Sequence, residues 1–132
     1  MKKCYVFINR YLGDKQAGIQ AAHAITRMMI KPEFDVVMWA RDHETLVLLD
    51  GGDHDDLKSL VIKYGMFGNG MRSFSEPGLN HALTAVATVP TAKMEETIDQ
   101  FKAAIKNGQI VYPEGDLEII CHKIATARSF RS

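Results

Sequence analysis

Apolar positions follow two rhythms that alternate along the chain. Cys4-Tyr-Val-Phe-Ile8 is a β-branched and aromatic run, apolar on both faces, and predicts a central strand with helices on each side. Gly13 marks a turn. From Asp14 to about Ile30 the spacing is helical, with Asp14 placed to cap and Pro32 to stop the helix. Ala17, Gly18, Ala21, Ala22 and Ala24 make it small-sided, which suits close approach to a sheet or a ligand. Phe34 to Ala40 is ambiguous: Val36-Val37 favours a strand, while the spacing of Phe34, Val37 and Met38 favours a short helix, the reading adopted here. Thr45 to Leu49 predicts a second strand, ended by Asp50-Gly-Gly52. Asp53 then caps a helix that buries Leu57, Leu60 and Val61 and closes at Gly65. Gly70 to Ser75 alternates weakly as a strand and breaks at Pro77-Gly78, after which Leu83 to Val89 predicts a further strand. Thr91 caps a helix with Met94, Ile98, Phe101 and Ile105 at helical spacing. Beyond Gly108 come Ile110 to Tyr112, a turn at Pro113 to Gly115, and Leu117 to Ile124, which fits either a strand or a short helix.

Strands alternating with helices define an α/β fold, a three-layer α/β/α sandwich. The sheet is mixed, of about four strands, because the strands flanking Pro77-Gly78 have no helix between them. With 132 residues, 46% of them apolar, the chain fills one core. Its apolar runs fall far short of the ~20 residues that span a bilayer. No basic-then-apolar signal segment opens it, so a cytoplasmic protein without membrane partners is expected. Cys4 and Cys121 lie in apolar runs and are expected to be reduced core thiols.

The net charge of zero conceals a split. Residues 1–31 carry six basic side chains against Asp14 alone, whereas residues 32–60 carry eight acids against Arg41 and Lys58. A basic first segment suits phosphates, yet the zero total argues against strong non-specific binding along a nucleic-acid backbone.

Two groups of residues can carry chemistry. Gln16, Gln20, His23 and Arg27 recur at spacings of four, three and four, so one polar stripe runs down the first helix, with Lys15 near the end where free N–H groups favour an anion. The same stripe also fits a plain solvated face. The second group lies in the loop Ser75-Glu-Pro-Gly-Leu-Asn-His81 and the strand that follows. Glu76 is a general base for water if burial raises its pKa, Asn80 and His81 are donors to an oxyanion, and Thr84 supplies a hydroxyl. An ordinary polar turn uses the same residue types. Asp53-His-Asp-Asp56 fits a helix cap better than a cation site, and the five histidines lack zinc spacing, so no metal and no cofactor are expected. There is no Walker-type loop, dinucleotide fingerprint or Gly-x-Ser-x-Gly elbow.

Taken in order, Tyr5-Val-Phe-Ile8, the loop with Gly13 and Lys15, Gln20-Ala-Ala-His23-Ala24, Trp39 before Glu44-Thr-Leu-Val-Leu-Leu49, and Thr84-Ala-Val-Ala87 ending at Pro90 resemble the peptidyl-tRNA hydrolase 2 family. The similarity spans residues 3 to about 106. It implies a family-like domain over 1–106, with 107–132 as a C-terminal extension packed on or continuing that domain. It also implies a mixed four-stranded sheet between helices and metal-independent cleavage of the ester between a peptide and the terminal ribose of tRNA. In that family a lysine precedes the helix glutamine by four residues; here Gln16 takes that place and Lys15 stands one position early. The family's Asp-Ala-Gly-Arg-Thr stretch is missing, and alignment on Thr84 sets Arg72 at its aspartate and Glu76 at its threonine. Phe74-Ser-Glu-Pro77 with Leu83-Thr-Ala85 resembles a variant pattern among phage-type relatives. The expected activity is therefore an ester hydrolase acting on peptidyl-tRNA or a related aminoacyl-nucleotide. Glu76, Asn80, His81 and Thr84 would be catalytic, while Lys15, Gln16, Gln20, His23, Arg27 and Arg72 would hold substrate. The alternative is a pocket that binds a small nucleotide or a tRNA end without cleaving it. A homodimer formed through the C-terminal extension is a further possibility.

Overall fold

The computed structural model describes residues 2–131. Four strands, β1 (Lys3–Ile8), β2 (Thr45–Asp50), β3 (Arg72–Glu76) and β4 (Ala82–Thr88), form one sheet in the order β2-β1-β4-β3. β1 runs parallel to β2 and antiparallel to β4, and β3 runs antiparallel to β4, so the sheet is mixed. Five helices surround it: α1 (Asp14–Ile30), α2 (Phe34–Met38), α3 (His54–Tyr64), α4 (Ala92–Lys106) and α5 (Gly115–Thr126).

The double-sided apolar run of β1 explains the three layers. Cys4, Val6 and Ile8 join Ala17, Ala21, Ala24 and Trp39 in the core under α1 and α2. Tyr5 and Phe7 point the other way, into the core filled by Leu57, Ile98, Ile120 and Ile124 from α3, α4 and α5. The stretch buried on both faces, Cys4 to Ile8, carries no charge, and Lys3 stands at the half-buried start of the strand. Helix α1 approaches the sheet through Ala17, Ala21 and Ala24, all at most 2% exposed. Gly18 and Ala22 belong to the opposite, exposed side, and a Cβ on Gly18 would meet nothing, so close packing explains only part of the small-residue pattern.

Several local expectations need adjustment. Gly13, not Asp14, is the cap residue of α1, and Asp14 sits in the first turn, where its charge favours the helix dipole. Phe34 to Met38 is helical, and Trp39–His43 continues it as one π turn that ends at Glu44 with φ 59°. Trp39 is buried there, its Nε1 donating to the Thr45 carbonyl at 2.7 Å. Asp53 caps α3 through a reciprocal capping box with Asp56. Residues 117–124 resolve as helix α5, whose Ile120, Cys121 and Ile124 enter the same core as α4. Cys4 and Cys121 are buried free thiols, and burial pushes them up to about 12 and about 11.

The chain then returns along the outer edge of β2. Asp50 N donates to Arg128 O at 2.8 Å and Phe130 N to Leu48 O at 3.0 Å, on either side of a Leu49–Ser129 bridge. Phe130 packs onto the α1-side core. Among the described residues no helix is long and apolar enough to cross a membrane.

Candidate functional site

The site gathers where the antiparallel pair β3–β4 meets the first half of α1. Phe74 pairs with Ala85 and Ser75 with Leu83, so Thr84 is left over as an extra residue on β4. Such an irregularity re-aims a side chain. Thr84 is wholly buried, and its Oγ1 donates to Gln20 Oε1 at 2.8 Å, with Phe74 O a second acceptor at 3.2 Å. Gln20, 1% exposed in the helix face made by Ala17, Ala21 and Ala24, uses the other end of its carboxamide to donate from Nε2 to Glu76 Oε2 at 2.9 Å. Gln16 Oε1 lies 3.5 Å from the same nitrogen. Glu76 ends β3, and its second oxygen accepts from Gly78 N at 3.2 Å, which pins the carboxylate to the one-turn helix Pro77–Leu79.

A chain of hydrogen bonds therefore leads from a buried hydroxyl through a buried carboxamide to a half-exposed carboxylate. The Gln20 N–H, then the Gly78 N–H and the charge of His23, hold the Glu76 carboxyl below its ordinary range. This reverses the expectation that burial raises it. Glu76 is an anion at neutral pH with its two oxygens already engaged.

The carboxylate opens onto a cleft of about 680 Å³, lined also by Asn9, Tyr11, Leu12, Gln16, His54 and Leu79. Asn9, 8% exposed, is held by donating from Nδ2 to Leu83 O at 3.0 Å and accepting from Tyr11 N at 3.1 Å. His54 Nδ1 accepts from Leu83 N at 2.9 Å, so its proton resides on Nε2, which is left as a donor. Tyr11 and Leu79 are exposed at 79% and 50%, giving the cleft an apolar rim.

The structure thus brings together Gln16, Gln20, Glu76 and Thr84. His23 and Arg27 lie one and two turns along α1, outside the cleft lining, and both cover Phe74: the imidazole stacks on the ring at 4.2 Å and the guanidinium stands 5.3 Å from its centre. Lys15 is exposed and is not among the cleft-lining residues. Arg72 stands at the start of β3, four residues and ~13 Å of strand from Glu76, with Nη1 on the Met71 carbonyl. Asn80 and His81 are exposed, with left-handed backbones (φ 56° and 60°) that turn the chain into β4, and neither lines the cleft. The polar stripe on α1 is not a uniform solvated face, since Gln20 is buried while its neighbours are not.

Sequence reasoning missed Asn9, Tyr11 and His54. Their signal is positional: Asn9 and Tyr11 follow a strand end, and His54 follows the Gly51-Gly52 turn at a helix start, where backbone geometry presents side chains at one edge of the sheet. Among the described residues no group of three or more His, Cys, Asp and Glu side chains is placed to hold a metal.

No protein-family model, curated protein or solved structure matches the chain. Its fold and site define it as an α/β sandwich with a largely apolar cleft, carrying a few fixed polar groups, beside the β3–β4 hairpin of a mixed sheet.

Proposed function

We propose that this cleft is the site of an ester hydrolase acting on peptidyl-tRNA or a related aminoacyl-nucleotide. The hydrogen-bonded run Thr84–Gln20–Glu76 is the observation that carries the reading, together with the resemblance of residues 3 to about 106 to peptidyl-tRNA hydrolase 2. Gln20 has one orientation available, because Thr84 donates to its oxygen and Glu76 accepts from its nitrogen. Glu76 is thereby fixed as an acceptor for a proton of water attacking the ester carbonyl. His54 Nε2–H is the available donor for the oxygen that becomes negative.

Incubation with peptidyl-tRNA is expected to release free tRNA, and Glu76→Gln to slow release by roughly 10²-fold or more. The rate should stay flat from neutral pH into mild acid. It should fall only where Glu76 is protonated, below the ordinary glutamate range, because its carboxyl is shifted down. A wild-type rate equal to that of buffer would sink the reading.

The engaged carboxylate and the lack of a lysine in the cleft favour a second reading, in which the pocket holds a nucleotide or tRNA end without cleaving it. Calorimetry against a nucleotide panel, with the ligand recovered intact, would support it over hydrolysis.

A further inference from the structure

On the other side of the β1–α1 loop lies a second cavity of about 550 Å³, between α3, α5 and the ends of β1 and β2, and at Arg10 and Asp50 it adjoins another of about 510 Å³ lined by Arg128 and Arg131 of the tail. The two are lined by five cations, Arg10, Lys63, Lys123, Arg128 and Arg131. Only two carboxylates, Asp50 and Asp56, stand against them. Both are committed to the backbone: Asp50 Oδ1 accepts from Gly52 N at 2.8 Å and Asp56 Oδ2 from Asp53 N at 3.1 Å. Asp50 also draws Arg10 to 3.5 Å. No carboxylate within ion-pair distance answers Lys63, Lys123, Arg128 or Arg131 among the described residues. A chain with zero net charge has gathered uncompensated positive charge in one concavity.

The position of the groove narrows its ligand. Arg10 lines the groove and Tyr11, the next residue, lines the cleft of Glu76; Gly52 and Asp53 divide in the same way. The two cavities share one wall. An extended anion that crossed this wall from the cleft would meet the cations. Three of the five come from α5 and the tail, outside the stretch that resembles a known family. The tail is held in place by its pairing with β2 and by the packing of Phe130, so Arg128 and Arg131 flank fixed backbone.

We propose that this groove seats the phosphodiester backbone of an RNA whose terminus enters the neighbouring cleft. It rests on the reading that the cleft takes an RNA end, but not on hydrolysis. With so few cations the electrostatic contribution is local, and binding is modest and sharply weakened by salt.

The test uses the full chain and a fluorescein-labelled RNA hairpin with a single-stranded 3′ overhang, titrated by anisotropy from about 50 to 200 mM salt. Lys123→Glu with Arg128→Glu should weaken binding by roughly tenfold or more and make the log–log salt slope shallower by about 1.4, or 0.7 for each lost single-strand contact. Lys31→Glu with Lys93→Glu changes net charge equally at the far end of the sheet and should leave affinity within about twofold. If charge reversal disturbs the fold, Lys123→Gln with Arg128→Gln gives the same ordering with a smaller loss. Equal effects of the groove and distal pairs, or no RNA binding by the wild type at the lowest salt, would overturn the proposal. Intact peptidyl-tRNA together with groove-dependent RNA binding would instead retire the hydrolase and keep the groove.

Discussion

Gln20 shows how one side chain can look like surface in the sequence and behave as core. Its period places it among Gln16, His23 and Arg27, yet it is buried at 1% exposure and satisfied at both ends. Replacing Thr84 by Val keeps the shape and removes the donor, which leaves a buried carbonyl oxygen unpaired. Such a loss costs about 1–3 kcal/mol, measurable as a lower urea midpoint with unchanged slope. An unaltered midpoint would show that the bond contributes nothing. A second residue carries the opposite lesson. Glu95 is 8% exposed; Tyr5 OH reaches one oxygen at 3.4 Å, and Oε1 has no partner. Burial pushes its carboxyl up, against the pull of Lys3 and Lys102. The folded state then holds the proton more tightly than the unfolded one, so stability falls as pH rises from the ordinary glutamate range through the raised folded value. Glu95→Gln should flatten that decline and raise Tm at pH 7 by about 3 °C, checked by thermal unfolding at pH 4 and 7.

At the level of elements, the turn between β2 and α3 fixes both cavities. Gly52 has φ 80°, and a Cβ there would run into the Asp56 carboxylate that completes the capping box. Gly51 has no more room, since its Cβ would lie 2.6 Å from Leu57 Cδ2. Gly52→Ala should therefore destabilise the chain by about 1–3 kcal/mol in denaturant unfolding, well beyond an exposed-loop substitution. The turn itself was readable, because Asp-Gly-Gly-Asp combines a strand stop with a cap. Strands β1 and β2 and helix α4 were equally plain, since composition and period agree there. The site was legible only in part. Glu76, Gln20 and Thr84 stand out by type, but their meeting depends on the irregular pairing that turns Thr84 toward α1, and no local pattern encodes a one-residue mismatch between strands. Asn80 and His81 have the residue types of a site but serve a left-handed turn. Helix α5 was undecided because its apolar run fits either period, and contacts with α4 and α3 settle it.

For the whole molecule, zero net charge conceals a sorting of charge by place: the apolar-rimmed cleft on one side of the β1–α1 loop carries the carboxylates of Glu76 and Asp53, and the cavities on the other side carry five cations against two carboxylates. The sheet order β2-β1-β4-β3 also bears on how the chain is made. Ile8 pairs with Ala85 and Tyr5 with Thr88, so roughly 80 residues, or about 4–16 s of translation, separate emergence of the central strand from that of its second neighbour. During that interval β2 and α1 are the first elements able to shield it. The nascent chain is therefore most exposed to aggregation before β4 leaves the ribosome, and slowing of synthesis between α3 and β4 would lengthen that exposure.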